Sequence, residues 1–504
     1  MCCICNIIML SSIYKKFNSL EKIMKKIVST VLLASIVGLQ TLPAQAFFKM
    51  GVEKTDAVKQ EQKADKALYK DITKKKDVPY KKLRTKNKYE YINLAWWEGM
   101  NDEYLTGYIN KAMAHNFDLK IASLTVDEYF QNVRAQMANE LPQVSTRYGL
   151  GVMGFPKDSY LPRNGHGMGM PFMASYEADI FLKNHDKTTS VKKLYQASIS
   201  DERATYIAIV SSVGTVYYNI VRLDKAIELQ EDIVKLRKNI YELMALSNKE
   251  GVVSTSDMIK AQKLYIAGQS DLVDLRRQRI ELLNQLAVLI GESPENAKTF
   301  GRISYDKIKY VYNTPDVIPS DIIVQRPDYQ RAEVMVKKAG IDVRVAKKEF
   351  LPTIDISGLA LFNSKYLGSL FTTNNALWML GGSAGLPLFT GGSRIANLKI
   401  NKIKLEKALK EYQKTNLVAI QEVNDALYSS RLNNQKLNQN KEHLKLEQKD
   451  YSLSEKKYKE GVISKLDLYQ MQENLLTIQN LIASNTIDCM LDKINLYKVT
   501  GAKY

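Results

Sequence analysis

The chain contains little cysteine, histidine or proline for its length, and these shortages exclude several classes of protein. Of its 504 residues, 4 are cysteine, 4 are histidine and 12 are proline. Cys2, Cys3 and Cys5 precede the signal-peptide pattern described below, so Cys489 is the single cysteine in the rest of the chain. One thiol cannot form an intramolecular disulfide, and it argues against a thiolate metal cluster. Few prolines and 25% charged residues favour long helices over many short loops.

The histidines show no pattern of catalysis or of metal binding. They lack the spacing of metal ligands and the context of a catalytic triad. They are widely separated along the chain, at His115, His166, His185 and His443. We therefore predict no catalytic residue, no metal site and no cofactor, and we do not expect an enzyme.

Long apolar runs are also scarce, and the one clear run is a targeting signal. A basic start at Met24-Lys25-Lys26 precedes an apolar stretch over 27–39 and a small-residue cleavage motif, Ala44-Gln45-Ala46. This pattern is typical of a bacterial secretory signal peptide, and the apolar stretch is shorter than the roughly 20 residues that span a bilayer. We expect cleavage after Ala46, with residues 1–23 as an upstream extension. No cysteine adjoins the cleavage site, so no lipid attachment is predicted there.

After residue 46, no apolar run is long enough for a transmembrane helix, so a membrane insertion would have to use strands closed into a barrel. Residues 47–95 are rich in lysine and without clear period, and we interpret them as a basic linker or extended arm. The net charge of +18 comes from lysines in this arm and throughout the helical segments. Export argues against nucleic acid as a partner, and solvated helix faces explain the charge. Contact with anionic lipid head groups is the alternative.

A single offset of 210 residues relates two halves of the remaining chain. Leu141-Pro142 returns as Leu351-Pro352, and Gly291 returns as Gly501. The six residues Lys-Glu-Gly-Val-Val-Ser over 249–254 return as Lys-Glu-Gly-Val-Ile-Ser over 459–464. Matches spread over this distance at one offset predict two copies of one unit. We place the copies at residues 96–295 and 306–504.

Each copy contains the same series of predicted elements: a helix ended by Leu-Pro, two strands, and two long helices joined at a glycine. Proline stops the first helix because it lacks an N–H and disfavours helix in the residue before it. The predicted helices span about 101–140, 187–248 and 256–289 in the first copy, and about 326–350, 393–459 and 464–500 in the second.

The predicted strands alternate apolar and polar residues. They span 144–152, 172–181, 353–361 and 376–388, with a Gly- and Pro-rich loop over 155–171. Barrels that cross a membrane have about eight strands or more, and open sheet edges are not tolerated in hydrocarbon. Four strands cannot close a barrel alone, so several chains must share one. A periplasmic coiled-coil scaffold is the alternative, but it explains the helices without explaining the alternating strands.

Several motifs resemble those of the outer-membrane efflux proteins, the TolC-like family. The most specific in combination are Arg326-Pro327-Asp328 and Leu-Pro-Leu-Phe-Thr-Gly-Gly over 386–392. Asn116-Phe117-Asp118-Leu119 in the first copy and Tyr458-Lys459-Glu460-Gly461-Val462 in the second also match. The resemblance covers residues 96–504 and is nearest to the branch that serves drug pumps of the resistance–nodulation–division (RND) type. Many members of that branch carry a lipidated N-terminal cysteine, which this chain lacks.

The resemblance implies a fold that is mainly α with membrane β. Three chains of four strands would form a 12-stranded barrel in the outer membrane, continuous with a long periplasmic α-helical barrel. The implied function is a passive exit duct for drugs and small molecules in a tripartite efflux system. The implied partners are two further copies of the chain, a periplasmic adaptor, an inner-membrane RND pump and outer-membrane lipid. The alternative is the outer-membrane component of a type I protein secretion system, with an ABC exporter as the pump.

The same resemblance assigns roles to the two turns between the long helices. They would form the periplasmic tip that meets the adaptor, at Gly251, Val252, Val253, Ser254, Gly461, Val462, Ile463 and Ser464. An acidic ring that faces the lumen falls on Asp467, which the spacing from Gly461 predicts to lie one and a half turns into its helix. A link between Asp257 and Tyr458 would hold the tip closed. The family's basic partner near this turn falls on Ile463, so that part of the latch is missing.

Overall fold

A computed structural model describes residues 56–74, 94–153, 165–315, 317–319, 321–364 and 366–501. The predicted signal peptide and most of the predicted arm lie outside the described residues. The chain divides into two units, residues 1–70 and residues 71–504.

In the first unit, the described residues form the greater part of helix α1 (Asp56–Lys74). The sequence analysis predicts an extended arm here, and for these residues that prediction is wrong. Alanine, lysine, glutamine and glutamate, which are strong helix formers, fill the segment and favour the helix without an apolar stripe of the usual width.

The second unit consists of long helices and one antiparallel sheet. The helices are α2 (Glu103–His115), α3 (Phe117–Ala138), α4 (Lys183–Lys249), α5 (Thr255–Ile290), α6 (Asp321–Val324), α7 (Pro327–Lys348), α8 (Ser393–Lys459) and α9 (Lys465–Val499). The strands are β1 (Gln143–Thr146), β2 (Gly149–Met153), β3 (Gly165–Glu177), β4 (Thr353–Ser364) and β5 (Ala376–Gly385). Short 3₁₀ turns lie at Leu94–Met100, Pro294–Thr299, Tyr305–Lys307, Leu367–Ser369 and Thr373–Asn375.

The helix bounds confirm the internal duplication. Displacement by 210 residues carries α3 onto α7 and α4 onto α8 with both ends in register, and carries α5 onto α9 within one residue. Each of α4 and α8 has 67 residues, which at 1.5 Å per residue corresponds to roughly 100 Å. Helices of this length are stabilised by packing along their sides, and α4 packs against α3, α5, α7 and α9.

One predicted helix is two helices. The segment over 101–140 breaks at Asn116, whose ψ of 129° is not helical. The Asn116 side chain accepts a hydrogen bond from Leu119 N (3.0 Å) and donates one to Leu289 O (2.9 Å). The same side chain therefore caps α3 and ties it to the end of α5, which a pattern of apolar spacing does not reveal.

The sheet confirms four strand positions per chain. β3 and β4 pair at the centre, with Phe172 opposite Ala360, and β5 pairs with β4 at one edge. β1 and β2 both pair with β3 and together form the other edge, interrupted at Arg147-Tyr148. Strand ends differ from the prediction: residues 165–171 belong to β3 rather than to a loop, and residues 178–181 and 386–388 are not strand. Residues 155–164 lie outside the described part of the chain.

The turns from strand to long helix differ between the two copies. Gly392 precedes α8 with φ of 81°, whereas the equivalent residue before α4 is Leu182, also left-handed with φ of 57°. A left-handed conformation is unfavourable for a side chain with a Cβ atom. Asp179 stabilises the turn in the first copy, because its carboxylate accepts from Lys183 N (2.6 Å) and His185 N (2.7 Å). The first copy thus retains the backbone conformation without the glycine.

The largest apolar core lies where α2, α4, α5 and α9 meet. Tyr217 is fully buried there, donates to Asp102 Oδ2 (2.7 Å) and accepts from Ile303 N (3.0 Å). Trp96 stacks on Tyr497 with ring centroids 5.2 Å apart, so the residues before α2 join the core to the end of the chain. Among the described helices, α4 alone has an 18-residue window apolar enough to cross a bilayer, and 67% of that window is buried inside the protein. We therefore assign α4 as a core helix.

Candidate functional site

The turns after α4 and α8 have the same backbone geometry. Gly251 and Gly461 are left-handed, with φ of 73° and 74°. After each glycine, the next N–H returns to the helix: Val252 N donates to Ser247 O and Val462 N donates to Lys457 O, both at 2.8 Å. Together with the bonds from Gly251 N and Gly461 N at 3.0 Å, this is the Schellman ending of a helix. Both predicted turns therefore reverse the chain with their polar backbone groups satisfied.

Serine residues start the returning helices. Ser254 Oγ accepts from Asp257 N (3.1 Å) and donates to its carboxylate (2.7 Å). Ser464 and Asp467 repeat these contacts at the same distances, and Ser464 N also donates to Asp467 Oδ2 (3.0 Å), which completes a capping box. Serine followed three residues later by an acidic residue is the sequence signal for this cap, and the sequence analysis used only its first half.

The two acidic residues lie closer to the turn than the sequence predicts. Helix α9 begins at Lys465, so Asp467 occupies its first turn rather than a position one and a half turns inside. Hydrogen bonds from the side chain and backbone of Ser464 lower the pKa of Asp467. Its contribution to capping is accordingly present above the ordinary pKa of aspartate, and is lost as the pH falls through the lowered value.

Asp257 is held by neighbours on its own helix. Its carboxylate accepts from Lys260 Nζ (2.9 Å) and from Ser254, and these contacts lower its pKa. In the described part of this single chain, Asp257 and Tyr458 form no hydrogen bond. A latch between them is therefore an expectation for the assembled protein.

The two tips differ in how firmly they are tied. Asn248 Nδ2 donates to Val253 O (2.9 Å) and fastens the first turn to the end of α4. The equivalent residue in the second turn is Tyr458, which is partly exposed. Val252 and Val462 project from the two turns and are largely exposed, each beside a glycine with open space around it. The tips therefore present a small apolar surface framed by lysine and glutamate.

Comparison with known proteins identifies the family. The sequence model described as "Outer membrane efflux protein" matches residues 108–292 and 318–502, two segments displaced by 210 residues. Together they cover well over half of the chain.

Individual relatives carry related descriptions. The probable efflux pump outer membrane protein TtgC of Pseudomonas putida is 28% identical over 413 residues, which cover 81% of this chain and 84% of the relative. The cation efflux system protein CusC of Escherichia coli is 24% identical over 416 residues, which cover 82% and 89%. Two solved structures have the same fold. The CmeC outer membrane channel of Campylobacter jejuni has a TM-score of 0.74 at 20% identity, covering 82% of this chain and 89% of that one. The open MtrE channel of Neisseria gonorrhoeae has a TM-score of 0.71 at 23% identity, covering 83% and 93%.

The chain belongs to the outer membrane efflux protein family. The resemblance drawn from its motifs is confirmed, and so are the mainly helical fold with a small sheet, the efflux channel role and the outer-membrane location. Channels of this family function within efflux systems. The roles of the tip and gate residues remain predictions.

Proposed function

We propose that this protein is the exit duct of a tripartite efflux system, assembled as a homotrimer and joined through its tips to a periplasmic adaptor and an inner-membrane pump of the RND type. Descriptions of the relatives as efflux pump and cation efflux components support the pump assignment. The alternating strands and the paired long helices would supply the membrane and periplasmic parts of the duct.

The observation that carries the proposal is the open sheet. Four strand positions end in two unpaired edges, at β1 with β2 and at β5. β5 also exposes a continuous apolar stretch, Leu377, Trp378, Met379 and Leu380. Open edges with apolar side chains cannot lie in hydrocarbon unless another strand pairs with them. The edge β5 of one chain would pair with β1 and β2 of the next, and three chains would close 12 strands.

The apolar tips would be the adaptor-docking surface. We expect the double substitution Val252→Asp with Val462→Asp to abolish complementation of efflux, because the exposed apolar tip would carry two new charges. The measurement is drug susceptibility of a deletion strain that expresses the variant, with trimer content of the outer membrane determined in parallel. The matched control is Lys249→Asp with Lys459→Asp, which adds negative charge one turn before the apolar tip. Full complementation by the valine variant would contradict docking at the tips.

Asp467 would form an acidic ring in the assembled duct, since three copies would bring three carboxylates to one level. The substitution Asp467→Asn keeps a side chain that accepts a hydrogen bond at the helix start and removes the charge. We expect weaker cation selectivity and weaker block by divalent cations in single-channel conductance across planar bilayers. Asp257→Asn, which changes the equivalent cap in the first copy, is the control. Unchanged selectivity in Asp467→Asn would show that this carboxylate does not line the pore.

A further inference from the structure

Within one chain, α4 and α9 pack antiparallel in a register marked by two ion pairs. Arg222 Nη1 lies 3.0 Å from Asp488 Oδ1, and Arg237 Nη2 lies 2.7 Å from Glu473 Oε1. Both partners are displaced by 15 residues in opposite directions, as an antiparallel pair of straight helices requires. Arg237 also donates to Leu264 O (3.2 Å), so this arginine joins α4 to both α5 and α9.

The second copy of α4, which is α8, exposes the side chains that α4 buries. Ile207 is 7% exposed and its equivalent Leu417 is 68% exposed. Tyr218 is 1% exposed and its equivalent Tyr428 is 63% exposed. Leu236 is 3% exposed, against 67% for Leu446. The duplication thus preserves an apolar packing face on α8 that the single chain leaves uncovered.

Helix α5 carries the complementary face. Four of its apolar residues recur every seven positions and are exposed: Ile259, Ile266, Val273 and Ile280. Their equivalents on α9 are Tyr469, Leu476, Ala483 and Met490, all partly or fully buried in the chain. A seven-residue apolar repeat is the pattern of a helix that packs lengthwise against another helix.

We infer that α5 of a second copy covers α8, in the register that α9 adopts on α4, and that Lys263 of one protomer pairs there with Glu447 of the next. The offset of 210 carries Arg237 onto Glu447 and carries Glu473 onto Lys263, so the ion pair recurs with its charges exchanged. In the single chain, Lys263 is exposed and Glu447 contacts His443 on its own helix (3.3 Å). Both groups are therefore available on the uncovered faces.

The exchange of charge distinguishes the two interfaces. If α5 of another copy replaced α9 on α4, Lys263 would face Arg237. If α9 of another copy covered α8, Glu473 would face Glu447. Each wrong pairing places like charges together, whereas each proposed pairing joins opposite charges. The interface uses different faces of the two partners, so it generates a closed ring when the rotation between copies closes. The inference rests on the homotrimer proposed above and identifies its helical contact surface.

Cross-linking between engineered cysteines tests the register. In a Cys489→Ser background, Lys263→Cys with Glu447→Cys should give covalent dimers and trimers when outer membranes are treated with a short bismaleimide. The control, Lys263→Cys with Lys449→Cys, moves the second thiol about 200° around α8 and should give at least severalfold less product. Equal or greater product from the control pair would overturn the inference.

Charge reversal supplies a second measurement that does not depend on cysteine. Lys263→Glu and Glu447→Lys should each reduce the trimer that survives a fixed detergent and temperature by about twofold to fivefold, and the double reversal should restore it. Failure of the double variant to recover would overturn the pairing. If the unaltered protein is a monomer by native mass spectrometry, the proposed trimer itself fails. A stable trimer without Lys263–Glu447 coupling or cross-linking would refute this surface and leave the trimer intact.

Discussion

Replacement of Arg326 by methionine is expected to destabilise the folded protein by about 3 kcal/mol, because it removes a buried cation that serves two carboxylates. The guanidinium donates to Asp328 (2.7 and 3.0 Å), to Glu422 (2.5 Å) and to Val499 O (2.8 Å). It therefore ties the start of α7 to α8 and to the end of α9. Methionine retains much of the apolar stem and loses the charge and all of these hydrogen bonds.

The matched control for Arg326 is Arg331→Met on the same helix. Arg331 lies 2.6 Å from Asp201 in an exposed ion pair, which contributes at most about 1 kcal/mol. Thermal unfolding of the detergent-solubilised protein, followed by helical circular dichroism, should show a much lower apparent melting temperature for Arg326→Met than for Arg331→Met. Equal shifts would mean that Asp328 and Glu422 find solvent when the guanidinium is absent. Both carboxylates are partly exposed, so the comparison with Arg331 is informative.

Much of the fold was predictable because the duplication repeats each signal. The offset of 210 located the long helices α4 and α8, and the turn sequences located Gly251 and Gly461. Periodicity did not reveal Asn116, because a polar residue at a helix interface caps through its side chain and leaves the apolar spacing unbroken. The turn at Leu182 was also hidden, since a leucine carries no signal of a left-handed backbone. Its duplicate, Gly392, is the position that indicates it.

The candidate site was predictable in place and less so in geometry. Turn residues fix where the helices reverse, but the start of α9 depends on Ser464 and decides that Asp467 belongs to the first turn. Contacts between separate helices, such as Arg237 with Glu473, follow from rotation and register that local sequence does not set. Once one such contact is known, the duplication extends it to Lys263 and Glu447. Internal symmetry thus supplies information about an assembly that a single copy of the unit does not contain.

Substitution of Gly291 by alanine is expected to destabilise the protein by more than about 2 kcal/mol, through backbone conformation and contact together. Gly291 ends α5 in a left-handed conformation, with φ of 76°. A Cβ atom there would lie 2.7 Å from His115 O, which is backbone at the end of α2 and cannot swing aside as a side chain can. Gly251 has nearly the same φ, 73°, and nothing within 4 Å of the added atom, so Gly251→Ala measures the conformational cost alone. The expected order of apparent melting temperature is the unaltered protein, then Gly251→Ala, then Gly291→Ala well below both. Equal losses in the two variants would show that α2 can shift away from the end of α5 at little cost.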